Sequence, residues 1–152
     1  MTLAMLQQGY DIIEDTDLPD VDRRAIEDGI DTHSDQDVGV RRKPYFIAIR
    51  DQGVLIGGMR GESLNGGFYI KHLWVEAACR GTGLGMQMMT RAEQEAARRG
   101  CCAVWVDTLS CQAPEFYKKA GYREAGRITG YRGVHDRIFL KKEITGDGKS
   151  SG

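Results

Sequence analysis

The sequence predicts an α/β (α+β) domain built on a single mixed β-sheet of about six to seven strands flanked by helices. Three observations lead to this fold class: β-prone runs at hairpin spacing in the first half, an amphipathic helix after a glycine-rich turn, and two more β-prone runs near the C-terminus. With 152 residues, of which 41% are apolar, the chain can close one core around one sheet. We expect one domain at residues 1–145, followed by a flexible polar tail at residues 146–152.

The first half of the chain is predicted to contain strands around one helix. Pro19 follows an acidic stretch and suits the first turn of a helix, which we expect to end near Asp31. Residues 51–53 (Asp-Gln-Gly) separate two β-prone runs and predict an antiparallel hairpin, and the glycine pair 66–67 opens the next strand. The predicted strands are residues 9–14, 45–50, 54–60 and 68–75.

The second half of the chain begins with a change of periodicity after Gly85. A helix of about four turns is predicted because apolar residues recur at every fourth position, at Leu84, Met88, Ala92 and Ala96. Glu95 can pair with Arg99 on this helix, and Gly100 stops it. A short helix at residues 114–120 begins with a proline and is ended by a glycine. The remaining predicted strands are residues 103–106, 123–129 and 137–143.

Charge is distributed unevenly along the chain. Residues 1–37 carry eleven acidic side chains against Arg23 and Arg24, although the formal net charge of the whole chain is only −1. An acidic segment beside a net basic remainder suits a cationic ligand on one side and an anionic ligand on the other, and it is equally typical of a solvated helix face. Because no basic stripe is present, a nucleic-acid partner is not expected.

The cysteines and the hydropathy pattern exclude several other classes. The four cysteines show neither a CxxC pair nor the spacing of a zinc site or a disulfide framework, so we expect reduced thiols and no metal; they are Cys79, Cys101, Cys102 and Cys111. No apolar run approaches the roughly 18 residues of a membrane span, and the N-terminus lacks a secretory pattern. A cytoplasmic location without membrane association is therefore predicted.

The segment from Leu73 to Gly85 predicts a strand that passes through a glycine-rich turn into a helix. The N-terminus of a helix presents unpaired N–H groups and the positive end of a dipole, and glycines let a phosphate approach those donors closely. The same glycines would also suit a tight turn without a ligand. The spacing GxGxG differs from the GxGxxG of dinucleotide-binding folds, and the GKS triplet at residues 148–150 lacks the glycine and the helix of a P-loop.

Two motifs in this order resemble the GNAT superfamily of N-acetyltransferases. Residues 80–85 (Arg-Gly-Thr-Gly-Leu-Gly) match the acyl-CoA signature R/Q-x-x-G-x-G/A. Residues 110–122 are similar to the family's N-x-x-A-x-x-F-Y-x-x-x-G-F/Y segment, with Ser110 where many members have asparagine. The resemblance covers about residues 45–143 and is strongest to a group of small bacterial members.

The resemblance implies a GNAT fold, in which the two central strands splay apart, and acetyl-CoA as the cosubstrate without a metal. The pantetheine arm would pair with the strand that ends at Val75, the diphosphate would meet main-chain N–H groups at residues 80–85, and an N–H near Trp74 or Val75 would stabilise the oxyanion. The implied cofactor-binding residues are Leu73, Trp74, Val75, Arg80, Gly81, Thr82, Gly83, Leu84, Gly85, Ser110, Phe116 and Lys118.

The implied reaction is direct attack of an amine on the acetyl thioester in a ternary complex. Tyr117 matches the tyrosine that protonates the departing thiolate in the family; without the resemblance it would be a core tyrosine. An alkylamine with a pKa of roughly 10 must lose a proton before it attacks, either to a side chain or to ordered water. The candidate bases are His72, Asp107, Glu76 and His135, each of which also suits a purely structural position.

The acceptor is the least defined part of the prediction. In this family the N-terminal helical segment and the loops around the last two strands bind the acceptor, and here that segment is acidic. We therefore expect a small cationic amine, such as a polyamine or an aminoglycoside-like antibiotic. A protein or peptide amine and a non-catalytic acetyl-CoA-binding module are the alternatives, and the family also suggests a homodimer.

Overall fold

A computed structural model describes the chain at Glu14 and over residues 18–38, 42–131 and 133–144. Apart from Glu14, the predicted first strand at residues 9–14 lies outside the described residues, and so does the predicted tail at residues 146–152. No helix in these described ranges is long and apolar enough to cross a membrane.

The described helices and strands follow one another in the order that the sequence predicts. The elements are α1 (Asp20–Val38), β1 (Arg42–Asp51), β2 (Val54–Leu64), β3 (Gly67–Val75), α2 (Leu84–Arg98), β4 (Ala103–Leu109), α3 (Pro114–Lys119), β5 (Arg123–Tyr131) and β6 (His135–Glu143).

Several elements are longer than predicted, among them helix α1 and strand β4. Helix α1 continues to Val38 instead of ending near Asp31, because residues 32–38 contain neither proline nor glycine to stop it. Strand β4 runs on to Leu109 because β6 continues to pair with it beyond the predicted end at Val106. Tertiary pairing decides where this strand ends, and the local apolar pattern does not show it.

The strands form one six-stranded mixed sheet in the order β1-β2-β3-β4-β6-β5. Strands β3 and β4 are parallel, and every other neighbouring pair is antiparallel. Helix α2 connects β3 to β4, as a crossover between parallel strands requires. The predicted single mixed sheet is confirmed.

The core lies between α2 and one face of the sheet. The helix buries Met88, Met89, Ala92 and Ala96 completely. From the sheet, side chains such as Phe68 and Leu140 are likewise inaccessible to solvent, and each contributes about 1.5–3 kcal/mol by burial. The face of α2 that the four-residue spacing predicts to be buried is therefore the face that packs against the sheet.

Arg99 ties the C-terminal end of α2 to the first two strands. Its guanidinium donates to the main-chain oxygens of Lys43 (2.7 Å) and Pro44 (3.1 Å) and to the Ser63 hydroxyl (3.0 Å). The predicted pair with Glu95 is present, with Nε 2.7 Å from Oε1. These contacts fix the helix relative to β1 and β2 at the end of the sheet away from the glycine-rich turn.

The two central strands separate halfway along their length. Parallel pairing runs from Gly67 opposite Ala103 to Ile70 opposite Val106 and then stops, although β3 continues to Val75. A bulge in β3 falls between Ile70 and His72, so that Leu73 and Val75 face the same side of the sheet as the buried part of the strand. The splay between β3 and β4 that the resemblance implies is confirmed.

Candidate active site

The opening between the splayed strands continues into a cleft of about 800 Å³. Strand β3, the glycine-rich turn, the N-terminus of α2, the end of β4 and helix α3 form its walls. Ten of the predicted site residues line this cleft: Leu73, Trp74, Val75, Arg80, Gly81, Gly83, Leu84, Gly85, Phe116 and Tyr117.

Unsatisfied main-chain donors line the cleft at the start of α2. Gly83 is the N-cap residue, and no side chain of the described residues caps the helix. The first intrahelical bond runs from the N–H of Gln87 to the carbonyl of Gly83, so the N–H groups of residues 84–86 have no partner within the helix. These donors and the helix dipole make the turn a site for an anion such as a diphosphate.

The turn depends on glycine at two positions. Gly81 has a φ of 79° and Gly83 a φ of 87°, values that residues with a side chain adopt only with strain. Thr82, between them, does not line the cleft; its hydroxyl donates to the Cys79 carbonyl at 2.5 Å and so closes the turn. Arg80 donates from Nε to the Val75 carbonyl at 3.2 Å, which holds the turn against the end of β3.

Helix α3 packs directly against the start of α2. A Cβ atom at Gly85 would lie 3.1 Å from the Phe116 ring and 3.9 Å from Leu73. A side chain at this position would therefore displace the ring. The third glycine of the motif serves this close approach between the two helices, because its backbone is helical and needs no left-handed conformation.

Tyr117 is buried but faces the cleft. It is 9% exposed, and its ring makes edge contacts with the rings of Phe116 (5.1 Å) and Tyr122 (6.2 Å). Within the described part of the chain its hydroxyl has no hydrogen-bond partner. Burial, and secondarily the charge of Asp107, raises the pKa of Tyr117, so the hydroxyl stays protonated at neutral pH.

Asp107 lies where β3 and β4 separate, and both of its carboxylate oxygens are engaged. Oδ1 accepts from the Tyr69 hydroxyl at 2.7 Å, and Oδ2 accepts from Arg137 through Nε at 2.6 Å and through Nη2. Burial and the hydrogen bond to Asp107 raise the pKa of Tyr69 to about 12. The network joins β3, β4 and β6 at the vertex of the opening.

None of the four candidate bases, Asp107 included, lines the cleft. His72 is exposed on the face of β3 opposite α2, two residues beyond the last parallel pair. Glu76 is exposed just after β3. His135 starts β6 and pairs with Tyr131 in the last hairpin. None of these carboxylates and imidazoles belongs to a potential metal-binding cluster among the described residues.

Two predicted cofactor-binding residues also lie outside the cleft lining. Ser110 is bound to β6, since its hydroxyl accepts from the Asp136 N–H at 2.9 Å and its own N–H donates to the Asp136 carbonyl at 2.8 Å. Lys118 is exposed and lies 3.4 Å from Glu115. The cleft is lined instead by Gln112, whose Oε1 accepts from the Leu109 N–H at 3.1 Å.

Several lining residues were not predicted from the sequence. They are Cys79, Met86, Thr108, Cys111, Gln112 and Ala113. Thr108 could have been found from strand alternation, because it shares its face with Val104 and Val106. Cys79 directly precedes the first motif, Cys111 lies within the second, and all four cysteines of the chain are free thiols.

The chain is similar to known acetyltransferases. The model of the acetyltransferase (GNAT) family matches residues 7–122. The blasticidin-S acetyltransferase of Streptomyces morookaense is 37% identical over 97 residues, which cover 62% of this chain and 71% of that protein. Two solved structures also match. An acetyltransferase from Agrobacterium tumefaciens has 25% identity and a TM-score of 0.83, and the match covers 89% of this chain and 100% of that one. The aminoglycoside 6'-acetyltransferase type Ii has 29% identity and a TM-score of 0.59, and the match covers 67% of this chain and 70% of that one.

The family match spans well over half of the chain, and the splayed mixed sheet with its cleft is the architecture that the motifs imply. The chain is an acetyltransferase and belongs to the GNAT family.

Proposed function

We propose that this acetyltransferase moves the acetyl group of acetyl-CoA to the primary amine of a small cationic acceptor, by direct attack within a ternary complex. The observation that carries the proposal is that one cleft contains both the N-terminus of α2 and the Tyr117 hydroxyl, which has no hydrogen-bond partner among the described residues. The N-terminus of α2 suits the diphosphate of a CoA thioester, and the Tyr117 hydroxyl suits proton donation to the departing sulfur of that thioester.

The open side of β3 supports an extended position for the pantetheine arm. Beyond Ile70 the strand pairs with no described strand on the β4 side, so the main-chain groups of Leu73 and the N–H of Val75 are available to an amide-containing arm, while the Val75 carbonyl accepts from Arg80. An arm bound there leads from the amides at Gly83–Met86 toward Tyr117 and Thr108 in the same cleft. A main-chain N–H near Trp74 or Val75 then stabilises the tetrahedral oxyanion.

Tyr117 is assigned as the general acid. The amine attacks the acetyl carbon, the tetrahedral intermediate collapses with loss of the thiolate, and the tyrosine donates a proton to the sulfur. With its pKa raised above 10.0, the hydroxyl is in the protonated form that donates throughout the neutral range. Neither Cys79 nor Cys111 is needed, since direct attack forms no acyl-enzyme.

Proton removal from the amine is assigned to His72, acting through water. His72 lies on the splayed half of β3, on the face of the sheet opposite α2, and no described residue forms a hydrogen bond with its side chain. Asp107 is less suited because both of its oxygens already accept hydrogen bonds. Like His72, His135 and Glu76 lie outside the cleft lining, but neither belongs to the splayed half of β3, and they are not assigned a role in the reaction.

A cationic acceptor is supported by the acidic N-terminal segment, of which Asp20, Asp22, Glu27 and Asp28 are exposed on α1. Two similar proteins named for antibiotics, a blasticidin-S acetyltransferase and an aminoglycoside 6'-acetyltransferase, point to the same class. An acidic field raises the local concentration of a cation and is screened by salt.

A thiol-release assay with acetyl-CoA and a panel of amines, read together with mass spectrometry of the products, tests the proposal. We expect acetylated primary amines, with apparent affinities that weaken as salt is added. Binding of acetyl-CoA without thiol release for any amine would contradict the enzymatic assignment. A preference for neutral or anionic amines would contradict the cationic acceptor.

A further inference from the structure

An exposed aromatic stack lies on the face of the sheet opposite α2. The rings of Tyr69 and Trp105 are stacked, with centroids 3.7 Å apart and an interplanar angle of 8°. The neighbours of Trp105 along β4, Val104 and Val106, are buried under α2, so alternation places Trp105 on the opposite face. Trp105 remains 38% exposed, and Tyr69 is the one described ring that it contacts.

The two charged side chains that stand on either side of this stack, Glu62 and Lys141, each have an ion-pair partner. In the row across the sheet, Glu62 stands opposite Tyr69 and Lys141 opposite Trp105. Glu62 lies 3.1 Å from Lys71 and 3.4 Å from Arg42, and Lys141 lies 3.6 Å from Glu143. Because Glu62 and Lys141 already have partners, the surface left between these two side chains is aromatic.

The stack is next to the point at which β3 and β4 separate. The Tyr69 hydroxyl donates to Asp107 at the vertex of the opening, so the stack is held against the vertex. Trp105 precedes Asp107 by two residues and Thr108, which lines the cleft, by three. At about 3.3 Å per residue, these positions are about 7 and 10 Å from Trp105 along the strand.

We propose that the acceptor carries a planar, π-bonded ring about 7–10 Å from its amine, and that this ring stacks on Trp105 while the amine reaches the thioester through the opening. The inference rests on the proposed function and narrows its acceptor class to cationic amines with an attached planar ring. A flat ring gains contact area and a favourable quadrupole interaction on the indole, whereas a puckered ring of similar size gains area alone.

Matched acceptors provide the first test. Phenylalkylamines and cyclohexylalkylamines with the same linker differ in ring planarity but carry the same ammonium group. We expect the planar series to have a kcat/KM about tenfold higher with the wild-type enzyme. Equal values for the two series would overturn the inference, whereas an absence of thiol release with every amine would instead overturn the proposed function.

Variants of Trp105 provide the second test. Trp105→Leu keeps an apolar, β-compatible residue but removes the ring, and it should raise the KM for the planar amine about tenfold while leaving the KM for acetyl-CoA unchanged. Trp105→Phe should retain most of the ring preference.

Phe46→Ala serves as the matched control, because Phe46 is an exposed aromatic residue on β1, which is an edge strand of the described sheet (65% exposed). The inference would be wrong if Trp105→Leu and Phe46→Ala gave the same acceptor KM. Should Trp105→Leu fail to fold, the wild-type comparison of the two ring types and the Trp105→Phe variant still decide the question.

Discussion

Two neighbouring buried tyrosines allow the assignment of the general acid to be tested by the same substitution at each. Tyr117 faces the cleft, and its hydroxyl has no hydrogen-bond partner among the described residues. Tyr122 is 2% exposed, lies outside the cleft lining, and donates to Glu93 at 3.4 Å. Tyr117→Phe and Tyr122→Phe therefore remove the same atom from two different environments.

The expected effects on turnover differ between the two variants. General acid catalysis contributes roughly 10²–10⁴-fold, which corresponds to about 2.7–5.4 kcal/mol of activation free energy, so we expect Tyr117→Phe to lower kcat within this range. The Kd for acetyl-CoA should stay the same, because the hydroxyl acts on the sulfur only as the bond breaks. Tyr122→Phe should leave kcat within about twofold of the wild type.

The expected effects on stability run in the opposite direction. Tyr117→Phe breaks no hydrogen bond within the described part of the chain and should change the free energy of unfolding by less than about 0.5 kcal/mol. Tyr122→Phe loses its bond to Glu93 and should cost about 0.5–1.5 kcal/mol. The assays are steady-state thiol release, calorimetric binding of acetyl-CoA and urea unfolding. Unchanged kcat in Tyr117→Phe, or an equal loss in both variants, would refute the assignment.

Three further predictions follow from contacts elsewhere in the structure. Gly85→Ala should weaken acetyl-CoA binding about tenfold in calorimetry, because the added Cβ would lie 3.1 Å from the Phe116 ring and displace α3; an unchanged Kd would contradict this. Arg99→Met should lower the free energy of unfolding by about 2–4 kcal/mol, because it leaves Glu95 and main-chain oxygens without this partner. A loss below about 0.5 kcal/mol in urea unfolding would contradict the stabilising role of Arg99. The folded-state pKa of Tyr69, about 12, lies above its ordinary value of 10.0, so its contribution to stability is present below about pH 10 and is lost as the pH rises toward 12. Tyr69→Phe should lack this part of the loss of stability at alkaline pH. If the free energy of unfolding fell in parallel for the variant and the wild type over that pH range, the prediction would be contradicted.

The sequence predicted the elements that have strong local signals. The glycine-rich turn, the four-residue periodicity of α2 and the hairpin around residues 51–53 are confirmed, because backbone conformation and one-sided burial are encoded within a few neighbouring residues. The end of β4 at Leu109 was missed, because it is set by pairing with a strand that lies far along the chain.

In the candidate site, too, some features depend on neighbouring residues of the sequence and others on contacts between residues far apart in the chain. The glycine-rich turn at the start of α2 could be predicted from residues 80–85 alone. The vertex network could not, because Tyr69, Asp107 and Arg137 are separated by 38 and 30 positions and only the register of three strands brings them together. Likewise, the pairing of Ser110 with β6 depends on a contact that no local motif contains.

Diphosphate binding at the start of α2 is the claim on which the proposed function depends. Calorimetric titration with acetyl-CoA and with S-acetylpantetheine, which shares the thioester and the amide arm but has no diphosphate, tests it most directly. Two or more charge-assisted hydrogen bonds from the main-chain donors at Gly83–Met86 should make acetyl-CoA bind at least about a hundredfold more tightly. Equal affinity for the two compounds, or no heat with acetyl-CoA, would contradict it.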